Sequence, residues 1–194
     1  KFGFVVPWAD ATDVVGYIPY VQRIAPRDGL TLMRAKYPGI KFYRFLYHSV
    51  GEEFLWGDRR RMSDADLIEK VDQEDVHVVV LYEAGVPAGF FELNFHDPDV
   101  TNINYFGLMP GFIGRGLGSY LLGSSITYAA GARRTPLTLD TCSLDHSSAL
   151  ENYRRRGFEL IFERDEEYPD PRLDGTIRKD AGQHVPLAVS ACLA

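Results

Sequence analysis

The sequence predicts a single α/β domain, and three observations carry that reading. Its 194 residues are enough for one domain with a full hydrophobic core. Short apolar strands alternate with helical periodicities, most plainly in a strand, glycine-rich turn and helix between Ile103 and Ala130. Strands from Val76 to Glu83 and from Ala88 to Phe95 flank a turn at Gly85-Val-Pro87, the pattern of an antiparallel hairpin.

Composition narrows the function classes. Hydrophobic content of 45% and charged content of 25% are ordinary for a soluble globular protein. A net charge of −6 argues against nucleic acid as partner and leans mildly toward cationic small molecules. Cys142 and Cys192 are too few for a disulfide scaffold, so a reducing cytoplasm is the expected location. No run approaches the ~18 apolar residues of a membrane span, and Phe2 to Trp8 is too short for a signal-peptide core. No His/Cys grouping has metal-ligand spacing, so no metal is expected.

Taken in order, residues 1–28 hold apolar fragments interrupted by Pro7, Pro19 and Pro26. They read as an extension packed on the domain (residues 29–194) or on a partner chain, the latter case giving a homodimer. Leu30 to Ala35 alternates as a first strand, closed by Pro38-Gly39. Ile40, Phe42, Phe45, Leu46 and Val50 fit a helix with an aromatic core face, and Gly51 ends it. The mixed aromatic and charged segment 52–61 reads as a loop anchored by Phe54 and Trp56. Ser63-Asp-Ala-Asp66 is a capping box that starts a second helix through Leu67, Ile68 and Val71. The hairpin strands follow.

The central unit begins at Ile103 to Leu108, where Pro110-Gly111 stops the strand. Gly114, Gly116 and Gly118 then alternate before Leu117, Leu121, Leu122, Ile126, Ala129 and Ala130 recur at helical spacing. Glycines at that point let backbone approach a ligand. The first free N–H groups of the helix, backed by its dipole, favour phosphate. A dinucleotide fingerprint fails because its third glycine falls on Ser119, and a Walker loop fails because Leu117 follows Gly116. Beyond it, Leu137 to Cys142 is a strand, His146 to Arg156 a helix ended by Gly157, and Phe158 to Phe162 a strand. Residues 165–183 read as a long loop, and residues 185–189 as a closing edge strand.

Ile113-Gly-Arg-Gly-Leu-Gly118 resembles the pyrophosphate loop of the Gcn5-related N-acetyltransferase (GNAT) family, Gln/Arg-x-x-Gly-x-Gly/Ala, with Ile113 where a polar residue usually stands. Ala149-Leu-Glu-Asn-Tyr153-Arg-Arg-Arg-Gly157-Phe158 resembles the family's A-x-x-x-Y-x-x-x-G-F. The resemblance spans roughly residues 30–164. It implies a mixed, mostly antiparallel, splayed sheet flanked by helices, with the strands at 103–108 and 137–142 parallel and parting around coenzyme A. It implies acetyl-CoA as cosubstrate and an amine, on a small molecule or a peptide, as acceptor. The alternative of the same fold is a non-catalytic acyl-CoA-binding domain with a regulatory role.

The resemblance also assigns candidate residues. Ile113, Gly114, Arg115, Gly116, Leu117, Gly118 and Ser119 cradle pyrophosphate, and the Leu108 N–H donates to the thioester oxygen. Tyr153 lies beside the sulfur as proton donor, His146 stands where relatives have Asn near the cofactor, and Trp56 and Arg59 border the acceptor. Several family members carry a glutamate where this chain has Asn102. Glu92, inside an apolar strand, is therefore the expected base; in the other reading it lies on a solvated strand face and a water takes the proton.

Overall fold

The computed structural model describes residues 2–6, 27–133, 135–163 and 169–187, with residues 2–6 as backbone. Its strands are β1 (Phe2–Val6), β2 (Leu30–Ala35), β3 (Val76–Glu83), β4 (Val86–Asn94), β5 (Thr101–Leu108), β6 (Leu137–Thr141) and β7 (Glu159–Glu163). The helices are α1 (Ile40–Gly51), α2 (Asp64–Val71), α3 (Leu117–Ala132) and α4 (Ala149–Arg155). The strands form one sheet in the order β2-β3-β4-β5-β6-β1-β7. Every pairing is antiparallel except β5 with β6. That parallel ladder spans only Thr101–Ile103 against Leu137–Leu139, and β5 runs on to Leu108 without its neighbour. The sheet is therefore mixed, mostly antiparallel and splayed.

Alternation along the strands divides the core into two layers. Val79, Leu81, Phe91 and Leu93 turn toward α3, where Leu117, Leu121, Leu122, Ile126 and Ala129 meet them. Val78, Val80 and Phe90 turn the other way, toward α1 and α2. On α1 the buried stripe is Tyr43, Leu46, Tyr47 and Val50, spaced i, i+3, i+4, i+7. Phe45, expected inside, is exposed, because Tyr43 and Tyr47 lie on the stripe that faces β4. Ser63 caps α2 as expected, its hydroxyl accepting from the Asp66 N–H at 3.2 Å. Leu67 and Val71 of α2 are buried, whereas Ile68 is exposed.

Four local expectations are corrected. The hairpin turns at Ala84-Gly85, whose φ angles of 49° and 83° suit a two-residue turn, and Pro87 lies within β4. The α4 helix is shorter than expected and starts at Ala149. Residues 2–6, read as part of an extension packed on the domain or on a partner chain, form β1 within the sheet, between β6 and β7. The segment 185–187 is not a strand but part of a turn-rich stretch, residues 169–187; residues 188 and 189 lie outside the described residues. No helix among the described residues is long and apolar enough to cross a membrane.

Candidate active site

The splay puts a wedge where the sheet would otherwise be continuous. On one side β5 presents Asn102, Ile103, Asn104, Tyr105 and Phe106, and on the other stand Leu139 to Thr141 of β6 and the following Cys142. A cavity of about 930 Å³ fills the wedge. Trp56 and Tyr47 line it from the first half of the chain, Tyr153 from α4, and Pro169 to Pro171 from the last segment. Past the end of β5, a 3-10 turn at Pro110–Phe112 leads into Gly114 and Gly116, with φ of 81° and 73°. Both angles lie where glycine is favoured, and a Cβ on either residue would meet nothing within 4 Å. Gly116 is the N-cap of α3, and no side chain caps the helix, so its first-turn amides face outward.

Backbone alternation directs one further donor. The Met109 N–H bonds the Ala88 carbonyl at 2.9 Å, on the β4 side. Successive amides along a strand point to opposite edges, so the Leu108 N–H faces the side from which β6 has departed.

Tyr153 is 5% exposed, held between Phe106 (ring centroids 6.3 Å) and Phe158 (6.0 Å). Burial, and then the nearby Asp145 and Cys142, push its phenol well above its ordinary pKa, so it stays protonated at neutral pH. Asp145 lies at the bend between β6 and α4, on the same cavity wall. Its Oδ2 accepts from the Thr141 hydroxyl and from the Cys142 N–H at 3.3 Å, and the Trp56 side chain hydrogen-bonds to the carboxyl. Desolvation raises its carboxyl above the usual range despite those donors.

A strand-to-glycine-turn-to-helix unit and a tyrosine beside a splayed parallel pair define a specific family, and residues 43–158 match the model of the acetyltransferase (GNAT) family. This chain belongs to the GNAT family. No curated protein matches the sequence. Among solved structures, it is similar to an aminoglycoside acetyltransferase from an uncultured soil metagenomic sample, crystallised with sisomicin. The TM-score is 0.57 at 12% identity, covering 73% of this chain and 97% of that one. It is similar to the aminoglycoside N-acetyltransferase AAC(6')-Iy in complex with CoA, with TM-score 0.53, 19% identity and coverage of 75% and 97%. The ribosomal-protein-S18-alanine N-acetyltransferase from Escherichia coli is also similar, with TM-score 0.58, 17% identity and coverage of 72% and 84%.

The expected GNAT site residues fall into separate groups. Trp56 and Tyr153 share the cavity, and Arg59 lines it too. Glu92 does not line it. It is 0% exposed and receives Nη1 and Nη2 of Arg59 at 2.7 Å each, the Tyr43 hydroxyl at 2.7 Å and the Asn104 amide at 2.9 Å. With both oxygens occupied, and one partner a guanidinium, it has no position left from which to take a substrate proton. Arg59, 7% exposed, is held by that pair and by the Tyr105 ring 4.5 Å below it.

His146 is exposed; its Nδ1 accepts from the Ser148 N–H at 3.1 Å and its carbonyl from Ala149 at 2.8 Å, so it organises the entry to α4. Arg115 makes a two-pronged contact with Glu83 (2.7 and 2.8 Å), and Ile113 and Ser119 are exposed at the turn. Two residues of the site were missed from sequence. Arg156 closes on the start of α3, donating to the Ser119 carbonyl and hydroxyl at 2.8 Å each. It was visible only as one of three arginines ending a helix. Asp145 had no motif, because its importance comes from which wall the β6–α4 bend presents.

Proposed function

We propose that the protein is an acetyl-CoA-dependent N-acetyltransferase that passes the acetyl group directly to an amine in the same cavity. The wedge between β5 and β6 carries the reading, with Tyr153 on its wall and the outward amides of α3 beyond the end of β5. The fit to coenzyme A rests on the open space at Gly114 and Gly116 and on the uncapped helix start, which leave room and donors for a pyrophosphate. The amides of residues 113–119 hold the diphosphate, and Arg156 adds a cation beside them. Acetyl-CoA, when bound, supplies the activated acyl carbon. The Leu108 N–H stabilises negative charge on the thioester oxygen, because a donor fixed before reaction costs no reorganisation. Tyr153, held neutral, gives its proton to the departing sulfur.

The acceptor is a small-molecule or peptide amine. Two measurements test the reading. Coenzyme A raises the melting temperature by mass action on the folded state, and acetyl-CoA with a panel of primary amines releases free thiol. A thermal shift without thiol release would instead favour a non-catalytic acyl-CoA-binding domain.

A further inference from the structure

We propose that Asp145 is the catalytic base, taking a proton directly from the acceptor ammonium in the cavity between β5 and β6. The inference rests on the acetyl-transfer reading and supplies the group that reading still needs. A simple aliphatic ammonium has a pKa near 10 and must lose a proton before its nitrogen can attack.

Four carboxylates line the cavity, Asp58, Asp140, Asp145 and Asp170. Asp170 is committed to Arg172, whose Nη2 and Nε approach it at 2.7 and 3.0 Å. Asp58 and Asp140 are exposed. Asp145 is half-buried, beside Tyr153, and the groups that hold it are Thr141, the Cys142 amide and Trp56, all neutral. Among the described residues no Lys or Arg is in ion-pair range of it, which distinguishes it from Glu92. Neutral donors orient a carboxylate without fixing its charge as a guanidinium does, and partial desolvation strengthens it as a base.

The proton balance closes with these two residues. The acceptor nitrogen loses two protons, one when the ammonium is neutralised and one as the amide forms. The N–C bond forms as the C–S bond breaks. Asp145 takes the ammonium's proton and passes it to solvent. Tyr153 gives its proton to the departing thiolate, and the phenolate so formed takes the second nitrogen proton, so both residues end as they began.

The groups facing Asp145 are Thr141 from the end of β6, Cys142 just after it, Tyr153 from α4, Trp56 from the segment after α1, and His184 from the last segment. Burial raises Cys142 and Tyr153, so neither titrates on the acid side. His184→Gln is the control for the imidazole that faces the carboxyl.

The experiment follows thiol release from acetyl-CoA, with sisomicin and a series of primary alkylamines as acceptors, across pH. The unaltered protein and His184→Gln both show an acidic limb in kcat/KM, the variant's at somewhat higher pH because His184 favours the charged carboxylate. Asp145→Asn lowers kcat/KM at neutral pH by about 10²–10⁴-fold and loses the limb, while its coenzyme A thermal shift is unchanged. Thr141→Val, which removes a donor that favours the charged carboxylate, moves the limb to higher pH, an effect a purely structural role would not produce. Native rate and native limb in Asp145→Asn overturn the inference and leave the acetyl-transfer reading standing. A thermal shift without thiol release from the unaltered protein would overturn both.

Discussion

Arg59 and Glu92 meet face to face, each guanidinium Nη 2.7 Å from one carboxylate oxygen, in the layer between α1 and the sheet. The pair extends outward through amides. Asn104 donates to Glu92 at 2.9 Å, Asn102 donates to Asn104 at 3.0 Å, and the Thr138 hydroxyl donates to Asn102 at 3.1 Å. One polar chain therefore runs from the buried charge to the last rungs of the β5–β6 ladder, where the wedge opens. This arrangement assigns Glu92 to the frame of the site. Removing one partner of a buried pair leaves the other uncompensated, so Glu92→Gln should lose about 3–5 kcal/mol of stability. Urea midpoints at unchanged m check this. Arg59→Met with Glu92→Leu should recover much of the loss, since an apolar pair strands no charge. A stable Glu92→Gln that lost the acidic limb of the rate would restore Glu92 as the base.

Tyr153→Phe keeps the ring between Phe106 and Phe158 and removes only the hydroxyl. Its melting temperature should change little, and the coenzyme A thermal shift should persist. Turnover should fall by about 10²–10⁴-fold, as for loss of a general acid. Thiol-release rates of the two forms at saturating acetyl-CoA decide it, and equal rates would make Tyr153 a packing residue.

Ser119→Glu tests the anion site at the start of α3. A carboxylate in the first turn suits the helix dipole and gains Arg156 as a neighbour, so the fold should hold or tighten slightly. The same charge repels a pyrophosphate. At ligand a hundredfold above Kd the unaltered protein gains about 2.7 kcal/mol, and the variant should lose most of that shift. Thermal melts with and without coenzyme A measure it. This is a cleaner probe than Gly116→Val, because Gly116 has φ of 73° and any side chain there strains the backbone before it meets a ligand.

What could be read in the chain followed local rules. The glycine turn, α3 and the Ser63 cap were legible because each depends on residues a few positions apart, whereas the parallel strand pair came only through the family resemblance. The polar function of Arg59 and Glu92 was not, since these residues lie 33 apart and meet only through packing. Sequence gives Glu92 as an acid in an apolar strand, which suits a base and a buried ion-pair partner equally. The aromatic face of α1 was misread by one position, as Phe42 and Phe45 outweighed Tyr43 and Tyr47 on hydrophobicity. The hydroxyls of those tyrosines have partners inside, Glu92 for Tyr43 and the Arg59 N–H for Tyr47, and that decided which ring turns inward. Residues 2–6 carried no sign of their place between β6 and β7, because strand pairing at that distance leaves no local pattern.

Residues 169–187 wall the cavity with their start and end. Arg172 holds this segment together from inside, 2% exposed, donating to Asp170 and to the carbonyls of Ala181, Gly182, Val185 and Pro186. Its ties to the segment after α1 run through ion pairs, Arg61 with Asp174 at 2.9 Å and Arg178 with Glu52 at 2.5 Å. Hydrogen bonds from Thr176, and then from Arg61, hold the Asp174 carboxyl down at about 2. A carboxyl depressed in the folded state adds stability that is present above the unfolded pKa of about 3.9 and is lost as pH falls toward 2. Asp174→Asn should therefore melt below the unaltered protein at pH 5 and above, and the gap should close by pH 2. At neutral pH the variant should also be cut faster by trypsin at Arg172, Arg178 or Lys179. Its KM for the amine should rise while coenzyme A affinity stays the same, since the segment walls the cavity and does not touch the glycine turn. A gap in melting temperature that stays constant from pH 5 to pH 2 would remove Asp174 from the clasp, and an unchanged KM would remove the clasp from acceptor binding.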